Sequence, residues 1–535
     1  MGASSSTEQH VSSEQQEVET RAASLGSLPA LRTCSSKLAD PETNTIPLHS
    51  LQQCFSLEYK DIECEATKMP DSFPGLLTHL GSSIVDLLFV GEKGGVNWTE
   101  FVKGYLKCCD RMPASALLHL LLRVYASMVA KAGLGLKLEF ESGDEVDSKI
   151  HGSLLPSDVL MLLWTCWTMQ WSSRTPRFSK GTETLSVPDV SHLVLSAVVG
   201  CVGDGSGFDL WDCDVLSLEV ELPVGKFLTW VLTTAPCLAD SFTEFVNSRI
   251  QSASQEEEQS SSSSLGEIPP TKAGLLTRGR AWAISLTSRS TIREEILKPY
   301  FPGDTEAADE NLLYWSSIHG KGLNRFWSNV EGYYGPLLIL VSATYGDTHE
   351  DSANARKWIV GALTHQGFES KETFYGSSGN LYAIWPVFHQ FSPSGKEKNF
   401  VYSHLHPTGR VYEPHPKPVG IAFGGTVGNE RIFIDEDFAK ITVRHHVVDK
   451  TYHHGSLFPN QGFLPVEASI LEVEVWGLGG RITKQNQARY KKREELFTEQ
   501  RRKVDLKTFA SWEDSPEKMM MDMLGDPNRV QREDR

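Results

Sequence analysis

Histidines are the residues of this chain with the most obvious chemical potential. Eleven of the 17 fall between residues 319 and 454, among them His404-x-His406, His445-His446 and His453-His454. Adjacent or alternating imidazoles can ligate zinc, but a catalytic zinc also needs a third protein ligand and an open position. The H-E-x-x-H motif is absent, as are a G-x-S-x-G elbow, a phosphate-cradling G-x-x-x-x-G-K-[S/T] loop and a G-x-G-x-x-G fingerprint. A metal-dependent hydrolase or redox enzyme using the His404–His454 cluster is therefore the alternative reading. The competing one is solvated strand and turn histidines. All nine cysteines, Cys34 to Cys237, lie in the N-terminal half, and none pairs at C-x-x-C spacing. That excludes thiol chemistry from the C-terminal 298 residues and reads as buried small hydrophobes in a reducing compartment.

Two further segments carry chemistry in their spacing. Residues 89–100 (FVGEKGGVNWTE) have the frame of a calcium loop: Gly94 at position 6, Val96 at 8 and Glu100 at 12. The ligand positions 1, 3 and 5 hold Phe89, Gly91 and Lys93, which supply no carboxylate. The reading is an EF-hand-like helical module that binds no calcium at this loop, and no metal or other cofactor is expected. The chain opens Met1-Gly2-Ala3-Ser4-Ser5-Ser6, which fits the N-myristoylation pattern with Gly2 as acceptor. One myristoyl chain binds membranes only marginally, with K on the order of 10⁴ M⁻¹, so reversible association is expected.

The elements that must position these residues follow from composition and punctuation. A 535-residue chain with 40% hydrophobic residues and a formal charge of −17 predicts about three soluble units. The acid excess argues against a general nucleic-acid coat, which must neutralise phosphates, and no nucleic-acid partner is expected. The apolar stretches 114–130 and 154–169 read as core helices, since a membrane span takes ~20 apolar residues.

Residues 1–45 are Ser- and Glu-rich and predict a disordered leader. From 46 to 250 the pattern is helical, with helices opened by Pro113, Pro156, Pro188 and Pro223. Residues 251–270 read as an acidic, serine-rich linker. Between 281 and 480, short β-prone runs recur at 337–343, 358–364, 381–388, 400–404, 431–434, 441–448 and 470–476. Residues 481–535 read as a charged helical tail. Its 481–507 segment holds ten Lys/Arg against four acids, +6 locally, leaving −23 for the rest. Lys491-Lys492-Arg493 and Arg501-Arg502-Lys503 are spaced like a bipartite nuclear-import signal; the competing account is an exposed charged helix.

The β-rich region resembles the TLDc domain family. The similarity runs through Leu312–Gly320 with His319 and Gly320, then Phe326 and Gly335-Pro336-Leu337-Leu338-Ile339, then Gly361-Ala362. It continues in Phe423-Gly424-Gly425, in Arg431–Phe438 with Asp435, in Thr451-Tyr452, and in Leu471–Gly477 with Glu474, Trp476 and Gly477. The helical half, with Trp211–Asp214 and Leu222-Pro223-Val224, is similar to lysosome-associated, mTOR-linked members and to plant members with EF-hand-like halves.

The resemblance implies an α+β chain: a helical EF-hand-like half, then a β-sandwich of antiparallel sheets with a few helices. It implies structural and partner-binding roles for the motif residues, with no catalytic ones. It also implies a non-enzymatic regulator linked to oxidative-stress response. Its expected partners are V-ATPase subunits or a lysosomal signalling complex. The expected location is cytoplasmic and peripheral to a lysosomal, vacuolar or plasma membrane, with nuclear import through the tail as a further option.

Overall fold

Proline and glycine punctuation places the helices of the N-terminal half well. Ala114–Lys131, Pro156–Arg174, Ser191–Val202 and Val224–Thr234 are α-helices in the computed structural model. The structure describes residues 5–65, 68–89, 91, 95–141, 149–175, 184–203, 209–211, 213–255, 274–301, 311–345, 356–405, 417–446, 449–513 and 520. Gly2, Lys93, Gly94, His406 and most of the 251–270 linker lie outside the described residues. Ala114–Lys131 is long and apolar enough by composition to cross a membrane. Here it is a core helix: Leu118, Leu121, Leu122, Tyr125, Met128 and Val129 are buried, and the Tyr125 hydroxyl donates to the Asp158 carbonyl at 3.0 Å.

The leader corrects the sequence reading. Ser5–Ser24 and Leu28–Leu38 are helices rather than disordered chain. Val18, Ala22, Leu31 and Cys34 are buried, with Leu25 and Leu28 packed beside them. These few apolar residues recur at helical spacing and make a narrow stripe; the surrounding Ser and Glu mask it in a composition count. Polar contacts add to the seat: Arg21 pairs with Asp110, Lys103 with Glu14, and Trp98 Nε1 donates to Glu19 at 2.7 Å.

The calcium-loop frame at 89–100 has a partner that the sequence reading missed. Helices end at Leu38 and Leu88 and restart at Leu48 and Trp98. Between them Ile46-Pro47 pairs antiparallel with Gly95-Val96, Ile46 facing Val96. Two matched helix–loop–helix units are thus joined at position 8 of each loop. Asn44 takes φ 53°, filling the place of Gly94 in the other loop. In the first loop, positions 1, 3 and 5 are Ala39, Pro41 and Thr43. In the second, Phe89 is buried between Phe55 and Phe101 at ring distances of 5.7 and 5.8 Å. Glu100 closes a capping box with Asn97, accepting from its N–H at 3.0 Å.

Among the described residues the C-terminal half forms a curled antiparallel sheet of eleven strands. Its two layers are parts of one hydrogen-bonded path, because the strand Val466–Gly477 bends. Its first residues pair with Lys440–Val443, and its later ones with Leu312–Trp315 on one side and Leu337–Tyr345 on the other. Alternation assigns the faces. Leu337, Ile339, Val341, Val360, Ala362, Val473 and Val475 fill the space inside the curl. Leu338, Leu340, Ile359, Leu363, Tyr382, Ile384 and Trp476 face outward and join one core with the N-terminal helices. Helices Arg278–Ser285 and Thr291–Leu297 complete that shared layer through Trp282, Ile284, Ile292 and Ile296. The chain is therefore mixed α and β, with a core that crosses between its halves.

Candidate functional site

The terminal strand is the element on which the two halves and the tail converge. Glu474 is 1% exposed, and its carboxylate accepts from Leu275 N–H at 2.6 Å, Leu276 N–H at 3.1 Å and Trp476 Nε1 at 3.0 Å. A Cβ on Gly274 would stand 2.5 Å from Glu474 Oε1, so only glycine lets the incoming backbone lie against the acid. Burial raises the Glu474 carboxyl above its ordinary 4.5; the three donors and the nearby Glu472 are lesser influences, the donors pulling it back down. Trp476 packs into the shared core, and Gly477 leaves room for the Tyr333 ring.

Most family-motif residues are placed by packing and backbone bonds. The His319 Nδ1 accepts from Trp315 N–H at 2.9 Å and its ring stacks on Tyr314. The Gly320 carbonyl accepts from the Tyr314 hydroxyl at 2.7 Å. Gly335 lies against Thr483 of the tail helix, and the Pro336 carbonyl accepts from Leu478 N–H at 2.8 Å. Gly361 sits between Leu340 and Ile384 within the sheet, and Phe423 is buried inside the curl. Asp435 accepts from Ala439 N–H at 2.8 Å across a turn.

Gly424 and Gly425 flank a group that the sequence reading did not single out. The side chains of Arg431 and Asp449 are both 0% exposed, with Nη1 to Oδ2 at 3.4 Å. The guanidinium donates to the His453 carbonyl at 2.7 Å and the Gly455 carbonyl at 2.9 Å, and lies 4.4 Å from the Phe391 ring centre. Gly424 takes φ 68°, and a Cβ there would come 2.9 Å from Asp449 Oδ2. This pair fixes the 449–455 loop. A Thr-Tyr motif two residues beyond Asp449 was the available signal, since Asp449 Oδ1 caps the Thr451 N–H at 2.8 Å.

Among the described residues the histidines do not converge. His404 is buried in its strand, His445 stacks on Phe463 at 4.8 Å, His446 faces Asn429 at 3.2 Å, and His453 and His454 are exposed. Among the described residues no three His, Cys, Asp or Glu side chains are grouped to hold a metal.

The tail is a helix, Gly480–Glu513. Its root is fastened to the sheet half. Gln487 donates to the Asn329 and Glu331 carbonyls at 2.9 and 3.2 Å, and Lys491 to the Asn329 carbonyl at 3.0 Å. Burial lowers the Lys491 ammonium, with Glu331 and Glu495 opposing. Lys492, Arg493, Arg501, Arg502 and Lys503 are exposed.

Glu474→Ala is expected to cost about 3 kcal/mol in urea unfolding, since it strips two buried backbone donors and an indole of their acceptor. Because the folded carboxyl is raised, the wild type should lose stability as pH climbs from 4.5 through that raised value. Glu474→Gln should flatten this dependence; an unchanged slope would mean that another group sets it.

No curated protein matches the chain significantly. The family model of the TLDc domain matches residues 286–479, from just after the Arg278–Ser285 helix to two residues past the terminal strand. A TLDc domain points to a regulatory or oxidative-stress-related role. With its motif strands, closing Glu474–Trp476 pair and curled sheet all in place, the chain is a TLDc domain-containing protein.

Proposed function

We propose that this chain is a non-enzymatic regulatory protein that works by docking on a protein partner. The observation that carries the reading is the tail helix. It is fastened at its root through Gln487 and Lys491 and offers exposed Lys492, Arg493, Arg501, Arg502 and Lys503 beyond. Such a basic surface suits an acidic protein face, and charge complementarity of this kind sets on-rate and partner choice. The partner class is the V-ATPase or a lysosomal signalling complex. Acylation at Gly2 would hold the chain reversibly at a lysosomal, vacuolar or plasma membrane. The described histidines form no metal-binding group that would favour the metal-enzyme alternative.

The test is a pull-down of purified V-ATPase by the full chain. Binding is expected to weaken at least tenfold when the five exposed tail cations are reversed to Glu, with the unfolding midpoint kept. No binding, or binding indifferent to the reversal, overturns the reading. Gly2→Ala should reduce membrane partitioning without changing the pull-down. Zinc and iron should be far below one per chain in purified protein; a stoichiometric metal would restore the enzyme reading.

A further inference from the structure

A cleft of about 750 Å³ lies between the helical half and the TLDc sheet. That size falls within the range of about 300–1,000 Å³ for small-molecule sites, which favour domain junctions. Its floor is apolar: Trp230, Ala383, Phe388, Leu457 and Phe458 are each less than a tenth exposed. One wall is the Val224–Thr234 helix, and the other is the 455–461 loop.

Both walls are held in place. Trp230 Nε1 donates to Ser196 at 2.9 Å, and Phe458 stacks on Trp358 at 5.1 Å. The loop hangs from the buried Arg431 through the Gly455 carbonyl. The cleft is thus preformed, which spares a ligand the cost of ordering it.

Its polar groups point to one kind of ligand. Gln461 is 8% exposed; its Oε1 accepts from Leu457 N–H at 2.7 Å, which fixes the amide orientation. Its Nε2 is buried with no hydrogen-bond partner. That donor is enclosed within the wall, so the cleft's exposed polar groups include those of Lys226, Thr229 and Thr233. Lys226 donates to the Cys201 carbonyl at 2.9 Å, and an ammonium has two further N–H groups. The hydroxyls of Thr229 and Thr233 already donate to helix carbonyls. Among the described residues no Asp or Glu lines the cleft, although the chain carries −17 overall.

We propose that this cleft binds an apolar monocarboxylate of fatty-acid type, its body on the Trp230–Phe388–Phe458 floor and its carboxylate on Lys226. A ligand seated there touches both halves of the chain and binds them together. This inference is independent of the docking partner proposed above.

Gly225 supplies the blocking variant. It lines the cleft, and a Cβ built on it meets nothing within 4 Å, so a large side chain enters the cavity without a backbone clash. The full chain is titrated calorimetrically with dodecanoate below its micelle concentration, and with dodecyltrimethylammonium as the charge-reversed probe. One dodecanoate per chain is expected, with the cation at least tenfold weaker. Gly225→Phe should weaken dodecanoate at least 30-fold and Gly225→Ala should leave it unchanged. Lys226→Met should cost about tenfold for dodecanoate and nothing for the cation. Each variant is checked by its unfolding midpoint without ligand. Absence of saturable binding, equal affinity for the two head groups, or undiminished binding to folded Gly225→Phe overturns the proposal.

Discussion

Replacing Asp449 with alanine is expected to destabilise the TLDc domain by about 3–5 kcal/mol. The change leaves the Arg431 guanidinium at 0% exposure without its carboxylate. Burial already lowers the arginine's proton affinity, and Asp449 is the main group restoring it. The same substitution removes the cap on the Thr451 N–H. Asp449→Asn should fall between wild type and alanine, because it keeps that cap while losing the charge. The double change Arg431→Met with Asp449→Ala should recover part of the loss, since no buried charge is then stranded. Urea unfolding followed by near-UV circular dichroism measures this. A loss below 1 kcal/mol for Asp449→Ala would show that the pair does not hold the 449–455 loop.

Acidification from pH 7.5 to 4 is expected to remove roughly 3 kcal/mol of stability through one side chain, His192. Its ring is buried against Trp385 and Phe388, where the two halves meet, and its carbonyl accepts from Phe388 N–H at 3.0 Å. Burial pushes the imidazole down to about 4; Asp189 pulls it up and Arg280 pushes it down further. The unfolded chain takes a proton near 6.5, which the folded chain refuses until about 4. The contribution is therefore whole above 6.5 and drains away between those values. His192→Leu should flatten the difference in unfolding midpoint between pH 7.5 and 5. If wild type and variant respond alike, His192 is not the acid-sensitive group.

The parts of the fold that could be read from the chain were those with strong punctuation. Pro156 and Pro113 opened helices where expected, and the runs at 337–343, 358–364 and 470–476 are strands Leu337–Tyr345, Arg356–Thr364 and Val466–Gly477. Weak patterns were lost. Lys371–Tyr375 is a short edge strand whose Lys-Glu-Thr-Phe-Tyr sequence lacks polar–apolar alternation, and Gly420–Thr426 hides its strand character behind three glycines. The leader helices were lost because their stripe is narrow and their company polar.

The site shows the same division. Glu474 and Trp476 were legible through the family motif, but the N–H groups that Glu474 holds belong to residues 198 and 199 positions earlier. The Lys226–Gln461 cleft was invisible for a like reason. Each wall comes from a different half, and neither carries a local pattern.

Between the terminal strand and the tail helix lie only two residues, Leu478 and Gly479. The helix has 34 residues, about 50 Å at 1.5 Å each, and among the described side chains the last hydrogen bond to the sheet half is from Lys491. Roughly 30 Å of rod thus projects from a rigid sheet with no slack at its base. A rotation of about ten degrees at the root sweeps the tip through roughly 5 Å. Whatever grips the far end senses the orientation of the whole domain, and the tail behaves as a lever rather than a tether.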